Sequence, residues 1–136
     1  MATIAKFEDF TVWQKARALS VKVYELTFNV PLSKDFRLKD QMRGSAGSIM
    51  DNIAEGFDRG SRLEFINSLG ISKGETGELK SQLYRCLDVS YINQQIFDEL
   101  YSSVDEVAKM IAGFMEYLNT SPFKGKKFKN RINGKN

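Results

Sequence analysis

The chain has 136 residues, 42% of them hydrophobic, with 20 Lys and Arg against 17 Asp and Glu, which suits one compact domain with its own core. Histidine is absent and Cys86 is the single cysteine, which excludes Ser-His-Asp and Cys-His catalysis, zinc sites of the usual ligand types, His-ligated haem and internal disulfides. The longest uncharged run, Val89 to Phe97, is about half of a membrane span, and Glu8 and Asp9 occupy the place of a signal-peptide core, so a cytoplasmic protein with no membrane partner is expected.

Periodicity predicts four helices punctuated by Pro31 and Pro122. The first starts after Asp9 as N-cap and places Val12, Ala16, Leu19, Val23 and Leu26 on one face, ending near Asn29. The second begins around Ser33 to Asp35. It carries Leu38, Met42, Ser45, Ile49 and Asn52, flanked by Ala46 and Ile53, until Gly56 provides a stop.

Ser61 to Glu64 reads as a capping box that opens the third helix, whose seam is Phe65, Leu69, Ser72, Thr76, Leu79, Leu83 and Cys86, with a small polar layer in its middle. After a loop around Ser90 to Asn93, the fourth helix repeats Phe97, Leu100, Val104, Val107, Ile111, Phe114 and Leu118. No segment alternates like a strand. Short connections between such helices imply an all-α, antiparallel up-down-up-down four-helix bundle over residues 1–121.

The last segment differs in kind. Pro122–Asn136 holds Lys124, Lys126, Lys127, Lys129, Arg131 and Lys135 and no acid, whereas the rest of the chain has 14 cations against 17 acids. The basic pI is thus a property of this tail, which is expected to be disordered on its own because it has little apolar surface to bury. Phe123 and Phe128 interleave with its cations, a combination suited to phosphate neutralisation and base stacking, although many such tails only solubilise.

Further apolar residues lie beside the seams. Phe10, Trp13, Tyr24 and Phe28 on the first helix, and Tyr101 and Met115 on the fourth, make faces wider than a monomeric bundle needs; they are either a broad core or a subunit interface. Gly44, Gly47, Gly70, Gly74 and Gly77 lie inside helices, where close helix approach, within a subunit or between subunits, is the simplest reason for them. Arg43, Asn52, Glu55 and Arg62 suggest a polar network at the turn between the second and third helices, or a small anion pocket. Glu75 and Glu78 have no His partner for a di-iron site, so they read as solvated or ion-paired acids, and neither a metal nor a cofactor is expected.

Several stretches are shared with one family. They are F-E-D-F-T-V-W-Q-K-A from Phe7 to Ala16, including Trp13; Gln41-Met42-Arg43; Ser48-Ile49; Asn52-Ile53-Ala54-Glu55-Gly56; Ser61 with Glu64-Phe65; and Gly74-Glu75 with Glu78-Leu79. Over about residues 7 to 119 the chain resembles the bacterial four-helix-bundle proteins encoded by intervening sequences within 23S rRNA genes. The resemblance implies a homo-oligomer, a pentameric ring, without catalytic activity and with a nucleic-acid- or ribosome-related role. A related bundle is the accessory protein that partners the reverse transcriptase of diversity-generating retroelements. Gly44 and Met50 depart from the family's pattern, which often has a second basic residue and a proline there, and the tail lies outside it.

Two functions follow from this reading. The first is a non-catalytic oligomer that binds RNA or single-stranded nucleic acid through the phosphate contacts of Lys124, Lys126, Lys127, Lys129, Arg131 and Lys135, with Phe123 and Phe128 stacking. The second is a protein-interaction scaffold that recruits a polymerase, reverse transcriptase or ribosomal partner, with the tail only solubilising.

Overall fold

The computed structural model describes residues 4–120. Four helices carry the fold: α1 (Thr11–Thr27), α2 (Phe36–Asp58), α3 (Arg62–Asp88) and α4 (Gln94–Thr120). Single 3-10 turns, Phe7–Asp9 and Leu32–Lys34, precede α1 and α2, and the described residues contain no strand. Contacts at the two ends establish the antiparallel order. At one end Phe10, Phe57, Phe65 and Phe114 meet; at the other, Arg43 reaches Thr27, Cys86 touches Met42 and Tyr84 packs on Phe97.

The seam residues of all four helices form one core. Those of α1 and α3 are buried throughout, as are those of α4 except the partly covered Phe114. On α2 Asn52 is only partly buried, and Phe57, beyond the expected stop, is fully buried. The polar layer of α3 is satisfied except at Gln82 Oε1. The Ser72 hydroxyl donates to the Ile49 carbonyl of α2, Thr76 Oγ1 donates to Lys73 O at 2.6 Å, and Gln82 Nε2 donates to Ser45 Oγ at 3.1 Å. Cys86 is buried 3.6 Å from the Met42 sulfur, and burial pushes its thiol up to about 11, so it serves as a small hydrophobe.

Polar links on the outside hold neighbouring helices in register. Lys80 of α3 pairs with Asp105 of α4 at 2.8 Å, Lys15 of α1 with Glu106 at 3.2 Å, and Lys22 donates to Ser103 Oγ at 3.2 Å. The Lys80 hydrogen bond, followed by that of Lys109, holds the Asp105 carboxyl below its usual range. Asp35 caps α2 by accepting from Leu38 N at 3.2 Å and also accepts from the Tyr91 hydroxyl at 2.9 Å, which fastens the start of α2 to the α3–α4 loop.

Three local expectations change. Asp9 does not cap α1: it closes the preceding 3-10 turn, and Phe10 takes the cap position without a side-chain bond because its ring is drawn into the aromatic end of the core. Gly56 does not stop α2, which runs to Asp58. The left-handed residue is Gly60, with φ 82° and its N–H on Phe57 O at 3.1 Å. Nor does close helix approach within one subunit explain the glycine stripe, since a Cβ at Gly44, Gly47, Gly74 or Gly77 would meet nothing within 4 Å. Gly56 is where backbones crowd. A Cβ there would lie 2.5 Å from Ser68 Cβ and 3.1 Å from Phe65 Cδ1.

Chemical denaturation separates these two kinds of glycine. Gly56→Ala is expected to destabilise by about 1–3 kcal/mol through overpacking, and Gly74→Ala to stabilise by about 0.5–1 kcal/mol through helix propensity.

Candidate nucleic-acid interface

Tyr24 and Phe28, one helical turn apart near the end of α1, lie on the side of the helix that faces α2, and they remain 43% and 68% exposed. Arg43 of α2 lies across both. Its Nε donates to Thr27 Oγ1 at 2.9 Å, and the buried Thr27 hydroxyl in turn donates to Tyr24 O at 2.7 Å. The guanidinium carbon is thereby held 4.5 Å from the Tyr24 ring centre and 5.1 Å from that of Phe28.

The motif repeats along the same pair of helices. Lys39 Nζ stands 4.8 Å over the ring of Phe36, which is 67% exposed, and Arg17 lies 5.7 Å over Trp13. Phe36, Lys39 and Arg43 follow one another at helical spacing on α2, so the α1–α2 face interleaves cations with flat rings. Such a surface offers bases a stacking platform and phosphates a forked donor, with little side-chain entropy left to lose at Arg43.

A second concentration of polar groups lines a groove of about 590 Å³ between α2 and α3, walled by Gln41, Gly44, Ser45, Ser48, Glu75, Glu78, Ser81, Gln82 and Arg85. Loss of water, and then the hydrogen bond and charge of Glu78, raise the Glu75 carboxyl above its usual range, while a hydrogen bond with Ser45 works against that shift. Arg85 Nη1 donates to Gln41 Oε1 at 3.0 Å across the groove. Among the described residues no group of three or more His, Cys, Asp or Glu is placed to hold a metal ion.

The six residues expected at a subunit interface divide. Trp13 is 9% exposed against Phe7, and Phe10 packs on Phe57, Phe65 and Phe114. Tyr101 stacks near Phe97 and Tyr84 under Lys80, and Met115 lies over Gly70. Tyr24 and Phe28 stay outside, joined by Phe36, which sequence reasoning passed over although its spacing to Lys39 and Arg43 was readable. The tail candidates Phe123, Lys124, Lys126, Lys127, Phe128, Lys129, Arg131 and Lys135 lie outside the described residues.

The family model for the 23S rRNA-intervening sequence protein matches residues 8–113. The chain belongs to that family. It is also similar, at 26% identity and a TM-score of 0.72, to a crystal structure from Bacteroides thetaiotaomicron described as a protein with unknown function from the S23 ribosomal protein family. The similarity covers 78% of this chain and 99% of that one. No curated protein matches the sequence. Neither the family nor the neighbour carries a catalytic assignment, and no helix among the described residues is long and apolar enough to cross a membrane.

Most residues that carried the family resemblance shape the bundle. Trp13 covers the start of α1, Gly56 admits Ser68, and the Ser61 hydroxyl accepts from Glu64 N at 3.4 Å. Asn52 Nδ2 donates to Ser48 O and Oγ, both at 2.9 Å, and Glu55 pairs with Arg59 at 2.7 Å. Arg43 lies nearer the other end of α2, on Thr27, so these residues do not form the single network expected at the α2–α3 turn. Arg43 is the member of the set that faces outward over exposed rings.

The raised Glu75 carboxyl gives a signed test. Because the fold favours its protonated form, Glu75 contributes stability at low pH that is lost as pH rises through its folded value. Thermal melts should show Glu75→Gln more stable than the parent at pH 7, the advantage vanishing near pH 4.

Proposed function

We propose that this chain is a non-catalytic, homo-oligomeric cytoplasmic bundle that binds RNA, using the α1–α2 face together with the basic segment Pro122–Asn136. The observation that carries the reading is Arg43, anchored on buried Thr27 and laid over the exposed rings of Tyr24 and Phe28. A guanidinium fixed in this way meets a phosphate or base without first being ordered, and the adjoining Phe36–Lys39 pair extends the same chemistry. The family's description, which ties its genes to 23S rRNA, supports RNA as the polyanion.

A body with more acids than bases has little general attraction for nucleic acid, so affinity must come from local patches and from the tail. A pentameric assembly, as the family resemblance implies, presents several copies of each patch to one strand and multiplies a weak contact. The absence of catalysis is supported by the lack of histidine and by a buried thiol whose pKa is pushed up to about 11.

Fluorescence anisotropy with a short single-stranded RNA, read across a salt series, tests both contacts. Changing Lys124, Lys126, Lys127 and Lys129 together to Gln should reduce the slope of log K against log salt by about 3. Phe28→Ser and Arg43→Gln should each weaken binding about tenfold at constant salt. Full-length protein that shows no salt-dependent RNA binding, but retains a stoichiometric protein partner on purification, would replace this reading with the scaffold function.

A further inference from the structure

The groove between α2 and α3 plays no part in the RNA reading, and its chemistry differs from that of the α1–α2 face. Three features of its wall belong together. Glu75 and Glu78 both line the wall, three residues apart on α3, and loss of water followed by the nearby Glu78 raises the Glu75 carboxyl above its usual range. Gln82 is only 4% exposed; its Nε2 is spent on Ser45 Oγ, and its Oε1 is a buried acceptor without a hydrogen-bond partner. Gly44, Ser45, Ser48 and Ser81 keep the wall low, and a Cβ at Gly44 would meet nothing within 4 Å.

An orphaned buried carbonyl oxygen weakens the fold, and the crowding of the Glu75 and Glu78 carboxyls is a further burden on it. Both burdens are relieved by the same visitor, a positively charged group with several N–H donors. We propose that this groove binds a primary alkylammonium group, its N–H donors directed to the Glu75–Glu78 pair and to Gln82 Oε1, with the serine-lined trough taking its methylene stem.

The donor set distinguishes this cation from a metal ion. The wall holds only two carboxylates, and among the described residues no group of three or more His, Cys, Asp or Glu is placed to hold a metal ion. A groove of about 590 Å³ is much larger than one ion requires. Arg85, the one cation on the wall, donates Nη1 to Gln41 Oε1 at 3.0 Å rather than to either glutamate. The ammonium group has two possible sources with identical chemistry: a free polyamine, or one of the lysines between Lys124 and Lys135.

Amide NMR of the RNA-free full chain titrated with spermidine tests the site independently of the RNA reading. Saturable shifts are expected at Gly44, Ser45, Ser48, Ser81 and Gln82, with the midpoint raised at least tenfold in Glu75→Gln and in Glu78→Gln and unchanged in Glu116→Gln. Carbodiimide coupling of the same protein without added amine separates the sources. A link from Glu75 or Glu78 to a lysine of Pro122–Asn136, suppressed by spermidine, makes the chain its own ligand; saturable shifts without such a link make it a free polyamine. Shifts spread over the acidic surface, shifts indifferent to both substitutions, or tighter binding of calcium at the same amides would overturn the proposal.

Discussion

Four phenylalanines meet at one end of the bundle: Phe10 from the residue before α1, Phe57 from α2, Phe65 from α3 and Phe114 from α4. Their ring centres lie 5.0–5.8 Å apart in edge-on or tilted pairs, the arrangement in which aromatic quadrupoles attract. Truncating one such ring costs about 3–5 kcal/mol, a large part of what holds a domain of this size together. The ends of all four helices are thereby brought to one place. From there the seams have only to run antiparallel, past the Ser72–Ile49 and Gln82–Ser45 bonds, to Met42 and Cys86. What the core takes in determines what is left outside.

The helices, their seams and their order were legible because a seven-residue apolar repeat has one economical solution, a helical bundle. The Ser61 cap and the polar layer of α3 were legible for the same local reason. What periodicity could not tell was depth. Phe10, Trp13, Tyr24 and Phe28 are equally hydrophobic neighbours of one seam, yet Phe10 folds across the bundle end and Trp13 lies under Arg17, while Tyr24 and Phe28 face water. Gly56 was misjudged because a glycine that ends a helix and one that admits a neighbouring Ser look alike in a single chain; only the 2.5 Å approach to Ser68 decides between them. Arg43 belonged to a recognisable motif, but its partner Thr27 lies 16 residues away across a loop that sequence spacing does not bridge.

Charge is arranged with the same economy. The ion pairs Lys80–Asp105 and Lys15–Glu106 across the helix interfaces are partly solvated and contribute mainly to register. Less conventional polar chemistry is gathered in two places, the cation–aromatic face of α1 and α2 and the acid–amide groove of α2 and α3. The two lie on opposite sides of α2: Arg43 points toward α1, while Ser45 and Ser48 face α3. Neither is needed to close the core. The groove weakens the fold through Gln82 Oε1 and Glu75, and the glycines beside it bring no packing in return.

The central claim is that one subunit completes its core with residues 4–120 and leaves Tyr24 and Phe28 outside as contact surface. The thermal midpoint of the double variant Tyr24→Ser/Phe28→Ser tests it most directly. Loss of two exposed rings and their Arg43 stacking should lower the midpoint by no more than about 4 °C. A fall of more than about 10 °C, the scale of a buried-ring truncation, would show that these side chains belong to the core or to an obligate interface and would contradict the account.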